Sequence, residues 1–92
     1  MIQFEWDNTK ALKDFRKHGL EFKEAISVFS DPLEITISDP DHSIGEYRFL
    51  SIGISNKDNL LVISYTEPEE NRIRIIGDRQ QKMKKKYYEQ KI

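Results

Sequence analysis

Around Asp31-Pro32 the apolar residues of the chain change their spacing, from a helical period to a period of two. Ahead of that point Ala11, Leu12 and Phe15 share one helical face, and Phe22, Ala25, Ile26 and Phe29 follow the i, i+3, i+4, i+7 pattern. Asp7 precedes the first of these helices as an N-cap, and Gly19 follows it as a left-handed terminating residue. Phe4-Glu5-Trp6, before the cap, alternates as a short strand does. Proline at 32 cannot supply the next helical amide, so the second helix ends there. Beyond it Leu33, Ile35 and Ile37 alternate with polar residues until the turn-rich Ser38-Asp39-Pro40-Asp41. Residues 46–54 set Arg48, Leu50, Ile52 and Ile54 on one face against Tyr47, Phe49 and Ser51 on the other. The polar run Ser55-Asn56-Lys57-Asp58-Asn59 then predicts a hairpin into residues 60–65, apolar on both faces as a central strand is. Pro68 marks the next turn, and a last strand covers residues 72–77. Residues 80–91 read as a C-terminal helix, with Met83 and Tyr87 docking and Lys82, Lys84, Lys85 and Lys86 outward. The expectation is an α+β domain: two N-terminal helices, a four-stranded mostly antiparallel sheet and a C-terminal helix, with the helices on one face of the sheet.

At 92 residues, with no internal repeat and no linker rich in Gly, Pro or Ser, the chain reads as a single domain over 1–92. That length excludes dinucleotide-binding folds and barrels. Cysteine is absent, which removes disulfides, thiolate nucleophiles and thiolate zinc sites and fits a reducing cytoplasm. No stretch approaches the roughly 20 apolar residues of a spanning helix. The net charge of -1 conceals a split. Residues 1–71 hold seven Lys or Arg against fourteen Asp or Glu, whereas residues 72–92 hold eight against two. Such an asymmetry suits a basic face that meets a polyanion or is covered by an acidic protein.

The chain has no Gly-rich phosphate loop and no nucleophile elbow, and its two histidines lie twenty-four residues apart, so neither a metal nor another cofactor is expected. What remains are cations and proton-handling groups, which suffice for cleaving RNA. The 2′-hydroxyl of RNA can itself attack the neighbouring phosphate, leaving the protein to move protons and offset charge. Arg72 and Arg74, two apart on a strand, project from one face as a phosphate clamp would, with Arg79 following Gly77-Asp78. The same pattern fits a solvated face whose arginines pair with Glu46, Glu67 or Glu69. Lys17-His18-Gly19 places a cation and a titratable imidazole at a helix end, where His18 serves either as general acid or base or as a helix cap. Glu46 and Arg48 share a strand face, as an ion pair or as an oriented catalytic pair. Lys84-Lys85-Lys86 suits a solvated, dipole-compensating face, Trp6 reads as core, and His42 as a loop residue.

Taken in order, Phe4-x-Trp6-Asp7-x-x-Lys10-Ala11, Lys17-His18-Gly19, Phe22-x-x-Ala25, Val28-Phe29-x-Asp31-Pro32, Glu46-x-Arg48 with Gly53, and Ile73-Arg74-Ile75-Ile76-x-x-Arg79 resemble the BrnT family of type II toxins. The resemblance implies a RelE-like fold, a ribonuclease that halts translation, and neutralisation by a BrnA antitoxin, which alone contacts DNA. It carries over Arg74 and Arg79, with Lys17, His18, Glu46 and Arg48 as further matching positions, and favours the clamp at Arg72 and Arg74. The expected catalytic residues are then Arg74, Arg79, His18 and Glu46, with Arg72, Lys17 and Arg48 binding substrate. Gly77-Asp78 departs from the family's small hydroxyl residue followed by Ala. The departure removes a hydroxyl that could bond a phosphate and sets an acid beside Arg79, a negative charge where a phosphate would come. It therefore motivates a weakened toxin and, as the alternative, a non-catalytic binding module that acts as the antitoxin's corepressor.

Overall fold

The computed structural model describes residues 1–42 and 45–81. Its elements follow in the order β1 (Gln3–Trp6), α1 (Asn8–His18), α2 (Phe22–Val28), β2 (Ile35–Ser38), a 3₁₀ turn (Pro40–His42), β3 (Arg48–Ile54), β4 (Leu60–Glu69) and β5 (Arg72–Gln80). The strands form one sheet in the order β1-β5-β4-β3-β2. All pairings are antiparallel except β1 with β5, which are parallel from Gln3↔Arg72 to Trp6↔Ile75. Among the described residues no helix is long and apolar enough to cross a membrane.

The α+β class and the helix and hairpin positions agree with the sequence reading, and the strand count does not. The short N-terminal strand joins the sheet, giving five strands where four were expected. Its pairing is long-range, which local alternation cannot reveal. Within the expected turn at residues 67–71, β4 runs on through Pro68 to Glu69, and the turn itself is Glu70-Asn71, where Asn71 takes a φ of 62°. The expected C-terminal helix lies outside the described residues, save that Gln80 ends β5 and the Gln81 N–H still donates to the Leu60 carbonyl at 2.8 Å.

Asp7 caps α1 as expected, accepting from the Thr9 and Lys10 amides at 2.8 and 3.2 Å. Gly19 ends it at φ 69°, its N–H bonded to the Phe15 carbonyl at 2.7 Å. The apolar face expected of α1 does not enter the core, because the helix lies along the sheet margin. Leu12 and Phe15 stay about half exposed, and Ala11 alone packs against the core. The core instead joins Phe22, Ala25 and Val28 of α2 to Leu61, Ile63 and Tyr65 of β4 and Ile73 and Ile75 of β5. Rings continue it across the sheet, with Phe29 against Phe4 at 5.4 Å and against Tyr65 at 5.2 Å, and Trp6 edge-on to Phe22 at 6.2 Å.

Where α2 passes over β3 the approach is set by Gly53. A Cβ there would lie 2.9 Å from Val28 Cγ1 and 3.1 Å from Asp31 Oδ2. Val28 is buried and β-branched, so it has little freedom to withdraw. Asp31 is held too, its Oδ2 accepting from the Ile54 amide at 2.8 Å and its Oδ1 from the Leu33 amide at 3.0 Å. Gly53→Ala is expected to cost about 1–3 kcal/mol by overpacking. Urea unfolding checks it, through a lower midpoint at an unchanged slope.

Candidate active site on the open face of the sheet

The helices cover one face of the sheet, and the other carries an open pocket of about 450 Å³. Its floor is made by Leu50, Val62, Ser64 and Gly77, from three adjacent strands. Asp14 and His18 line it from α1, while Asp39, Arg48, Asp78 and Arg79 complete it. α1 reaches this place because β1 pairs with β5 only as far as Ile75. Beyond that residue the margin of β5 is open, and α1 packs against it.

A β-bulge decides which side chains face the pocket. Tyr65 pairs with Ile75 but Ser64 pairs with Gly77, so Ile76 is an extra residue in β5. In a regular strand Arg79, five residues after Arg74, would point to the opposite face. The bulge reverses the alternation. Arg79 stands opposite Val62 and Arg74 opposite Thr66, so the two arginines share the open face. Asp78, opposite the core residue Ile63, turns inward and is 4% exposed. The Asp78 side chain is thus directed toward the core rather than out of the open face, although the residue still borders the pocket. Ser64, directly across from Gly77, supplies a hydroxyl to the pocket floor.

The sequence-predicted residues divide into two groups. Arg79, Arg48 and His18 meet at the pocket. Arg74 shares their sheet face but is bound to Glu5, Nε donating to Oε2 at 2.8 Å, and that bond raises its already high pKa. Arg72 lies 3.5 Å from Glu5 and 3.5 Å from Glu69. The solvated, paired reading therefore describes these two arginines, with Glu5 as the partner that strand alternation alone does not disclose. Glu46 precedes β3 and lines a different groove, with Tyr47, Phe49, Thr66, Glu67 and Pro68. It is not brought to the pocket with Arg48. Lys17 is exposed on α1 and does not line the pocket.

Asp14 and Asp78 are the pocket residues that sequence reasoning missed as a pair. The Asp78 amide donates to Asp14 Oδ2 at 3.4 Å, which sets the Asp14 carboxylate against the backbone of Asp78. Among the described residues no donor reaches either Asp78 oxygen. Burial pushes the Asp78 carboxyl up to about 8, with Asp14 and then Glu24 adding to the effect. Glu24 is itself buried on α2, where it accepts from Ser55 Oγ at 2.6 Å and Asn59 Nδ2 at 2.9 Å and so ties α2 to the β3–β4 turn.

The fold and pocket define a class: a small α+β domain presenting cations and proton-handling groups on an open sheet face. The chain belongs to the BrnT family, ribonuclease toxins of type II toxin-antitoxin systems, whose family model matches residues 6–85. It is also similar to a solved structure, the 1.1 Å crystal structure of the Brucella abortus ribonuclease toxin BrnT, with 19% sequence identity and a TM-score of 0.65. The match covers 88% of this chain and 97% of that one, and shows a shared fold. No curated protein matches the sequence.

The buried carboxyl has a consequence for stability. Its folded-state pKa of about 8 lies above the ordinary 3.8, so the folded chain binds this proton more tightly than the unfolded one. The resulting stabilisation is fully present below the ordinary value and is lost as pH rises through the folded one. Asp78→Asn removes this dependence, since an amide cannot ionise. At pH 8 the variant is expected to melt at least about 5 °C above wild type, with the gap shrinking toward pH 4. Thermal melts across that range check it.

Proposed function

We propose that this chain is a metal-independent endoribonuclease toxin that acts in the cytoplasm, cleaving RNA and stopping translation until a BrnA-type antitoxin covers it. The observation that carries this reading is the convergence of Arg79, Arg48 and His18, from β5, β3 and α1, on one open pocket. The guanidinium groups offset charge developing on the phosphorus-centred transition state. His18 takes the proton from the attacking 2′-hydroxyl. Ser64 offers the phosphate a hydroxyl in place of the one missing at Gly77. Family membership supports ribonuclease chemistry and an antitoxin partner in general terms.

The corepressor reading drew its motive from Gly77-Asp78. The inward turn of Asp78 weakens that motive, because its side chain is directed toward the core rather than out of the open face. The two readings part on growth. A toxin slows cells when expressed alone and is rescued by its antitoxin, whereas a corepressor only sharpens the partner's binding to DNA.

The variants are expected to separate by position. Arg79→Ala and His18→Ala lose on the order of 10²-fold in RNA cleavage and relieve growth arrest. Arg74→Ala, whose guanidinium is engaged by Glu5, falls by less than about tenfold. Cleavage of a defined RNA in chelator, with growth of cells expressing each variant, checks this. Equal activity in all three variants and wild type, or none in wild type, sinks the enzyme reading.

A further inference from the structure

Asp14 and Asp78 form an arrangement that the chemistry above leaves unused. Asp14 Oδ2 lies 3.4 Å from the Asp78 amide, which brings the two acids to one place, and neighbouring carboxyls repel when both are ionised, so the pair retains a proton. Asp78 cannot turn to water for relief, since both its oxygens are buried and no donor reaches them among the described residues. Glu24 adds negative charge from α2, and Ile63, across on β4, brings no compensating group. Arg79 projects from the opposite face of β5. Asp14 is partly exposed and lines the pocket, four residues before His18 on the same helix. One helical turn sets the two side chains about 5–6 Å apart. That spacing suits the two ends of an in-line displacement, where the attacking and leaving oxygens lie on opposite sides of phosphorus. Arg48 and Asp39, on the far side of the pocket, complete the charged groups around it.

Resting on the ribonuclease reading, we propose that Asp14 and Asp78 share one proton and that Asp14 delivers it to the departing 5′-oxygen of the RNA. Asp14 is then the general acid, and Asp78 the residue that keeps the proton on the pair at neutral pH. As the bond from the 2′-oxygen to phosphorus forms, the bond from phosphorus to the 5′-oxygen breaks. His18 takes the 2′-hydroxyl proton and the pair gives up its own. The products are a 2′,3′-cyclic phosphate and a 5′-hydroxyl, and the doubly ionised pair recovers a proton from water. The residue that the sequence marked as an obstacle to phosphate becomes a holder of the leaving group's proton.

The test compares wild type, Asp14→Asn and Asp78→Asn on two substrates: an RNA oligonucleotide, and a nucleoside 3′-(nitrophenyl phosphate) whose leaving group departs without a proton. Both variants are expected to lose on the order of 10²-fold on RNA while staying within about threefold of wild type on the aryl ester. Equal losses on both substrates would mean a merely structural role and overturn the proposal. Carbon-13 carboxyl titration of the inactive His18→Ala protein is the second arm, independent of cleavage. It is expected to show one carboxyl step of the pair well above the ordinary carboxylate range, and two ordinary steps overturn the shared proton. Wild-type protein that cleaves neither substrate, yet shows the high step, overturns the ribonuclease reading and the acid role with it, leaving the shared proton standing.

Discussion

The extra residue Ile76 in β5 is the constraint on which the site depends. Side chains alternate along a strand with a period of two, so one inserted residue moves everything after it to the other face. Ile73 and Ile75 precede the bulge and fill the core beneath α2. After it the alternation is reversed, which brings Arg79 to the face of Arg48 and sends Asp78 inward. Without the bulge the positions would exchange: the arginine would be driven toward the core, and the carboxylate would stand in the pocket. A single backbone irregularity therefore sets the sign of the charge presented on the open face.

That irregularity coincides with the end of β1. The parallel pairing stops at Ile75, and from there the margin of β5 is covered by a helix. Ending a strand beside a bulge leaves room for α1 to bring Asp14 and His18 alongside Gly77. Among the described residues a Cβ at Gly77 would meet only Asp14 Oδ1, at 3.7 Å, an ordinary contact. Gly77 is thus compatible with a larger residue, and its role is not to admit a close approach. Gly53 is the opposite case, since there the approach of α2 leaves no space for a methyl group. Two glycines that look alike in sequence thus differ in what their surroundings demand.

Much of the fold was legible because it rests on local patterns. The capped helix from Asn8, the hairpin across residues 55–59 and the central position of β4 each follow from periodicity, capping or a polar turn within a few residues. What escaped depends on contacts distant in sequence. The pairing of β1 with β5 joins residues about seventy positions apart, and Glu5, its middle residue, neutralises Arg72 and Arg74. The exposed face of α1 follows from its place at the sheet margin, which helical spacing does not encode. The bulge left one local trace, the consecutive Ile75-Ile76, which breaks the alternation of Ile73-Arg74-Ile75. Of the candidate site, Arg79, Arg48 and His18 were readable by residue type, but the division between pocket and paired surface was not.

The charge split acquires a different meaning once side chains have directions. Of the three arginines that open the basic stretch, Arg72 and Arg74 are engaged by acids of the preceding stretch, so their charge is largely spent at the edge of the sheet. Arg79 lines the pocket instead, joined there by Arg48, which comes from the acidic part of the chain. One of the two acids in the basic stretch, Asp78, is driven toward its neutral form by burial and by Asp14. Counting residues thus overstates both the cations the open face presents and the anion beside them. The quantity that matters for a phosphate is the local field in the pocket, which Arg79, Arg48 and His18 line together with Asp14 and Asp39. A domain this small has room for one such concentration of charge, and the strand order and the bulge together decide where it forms.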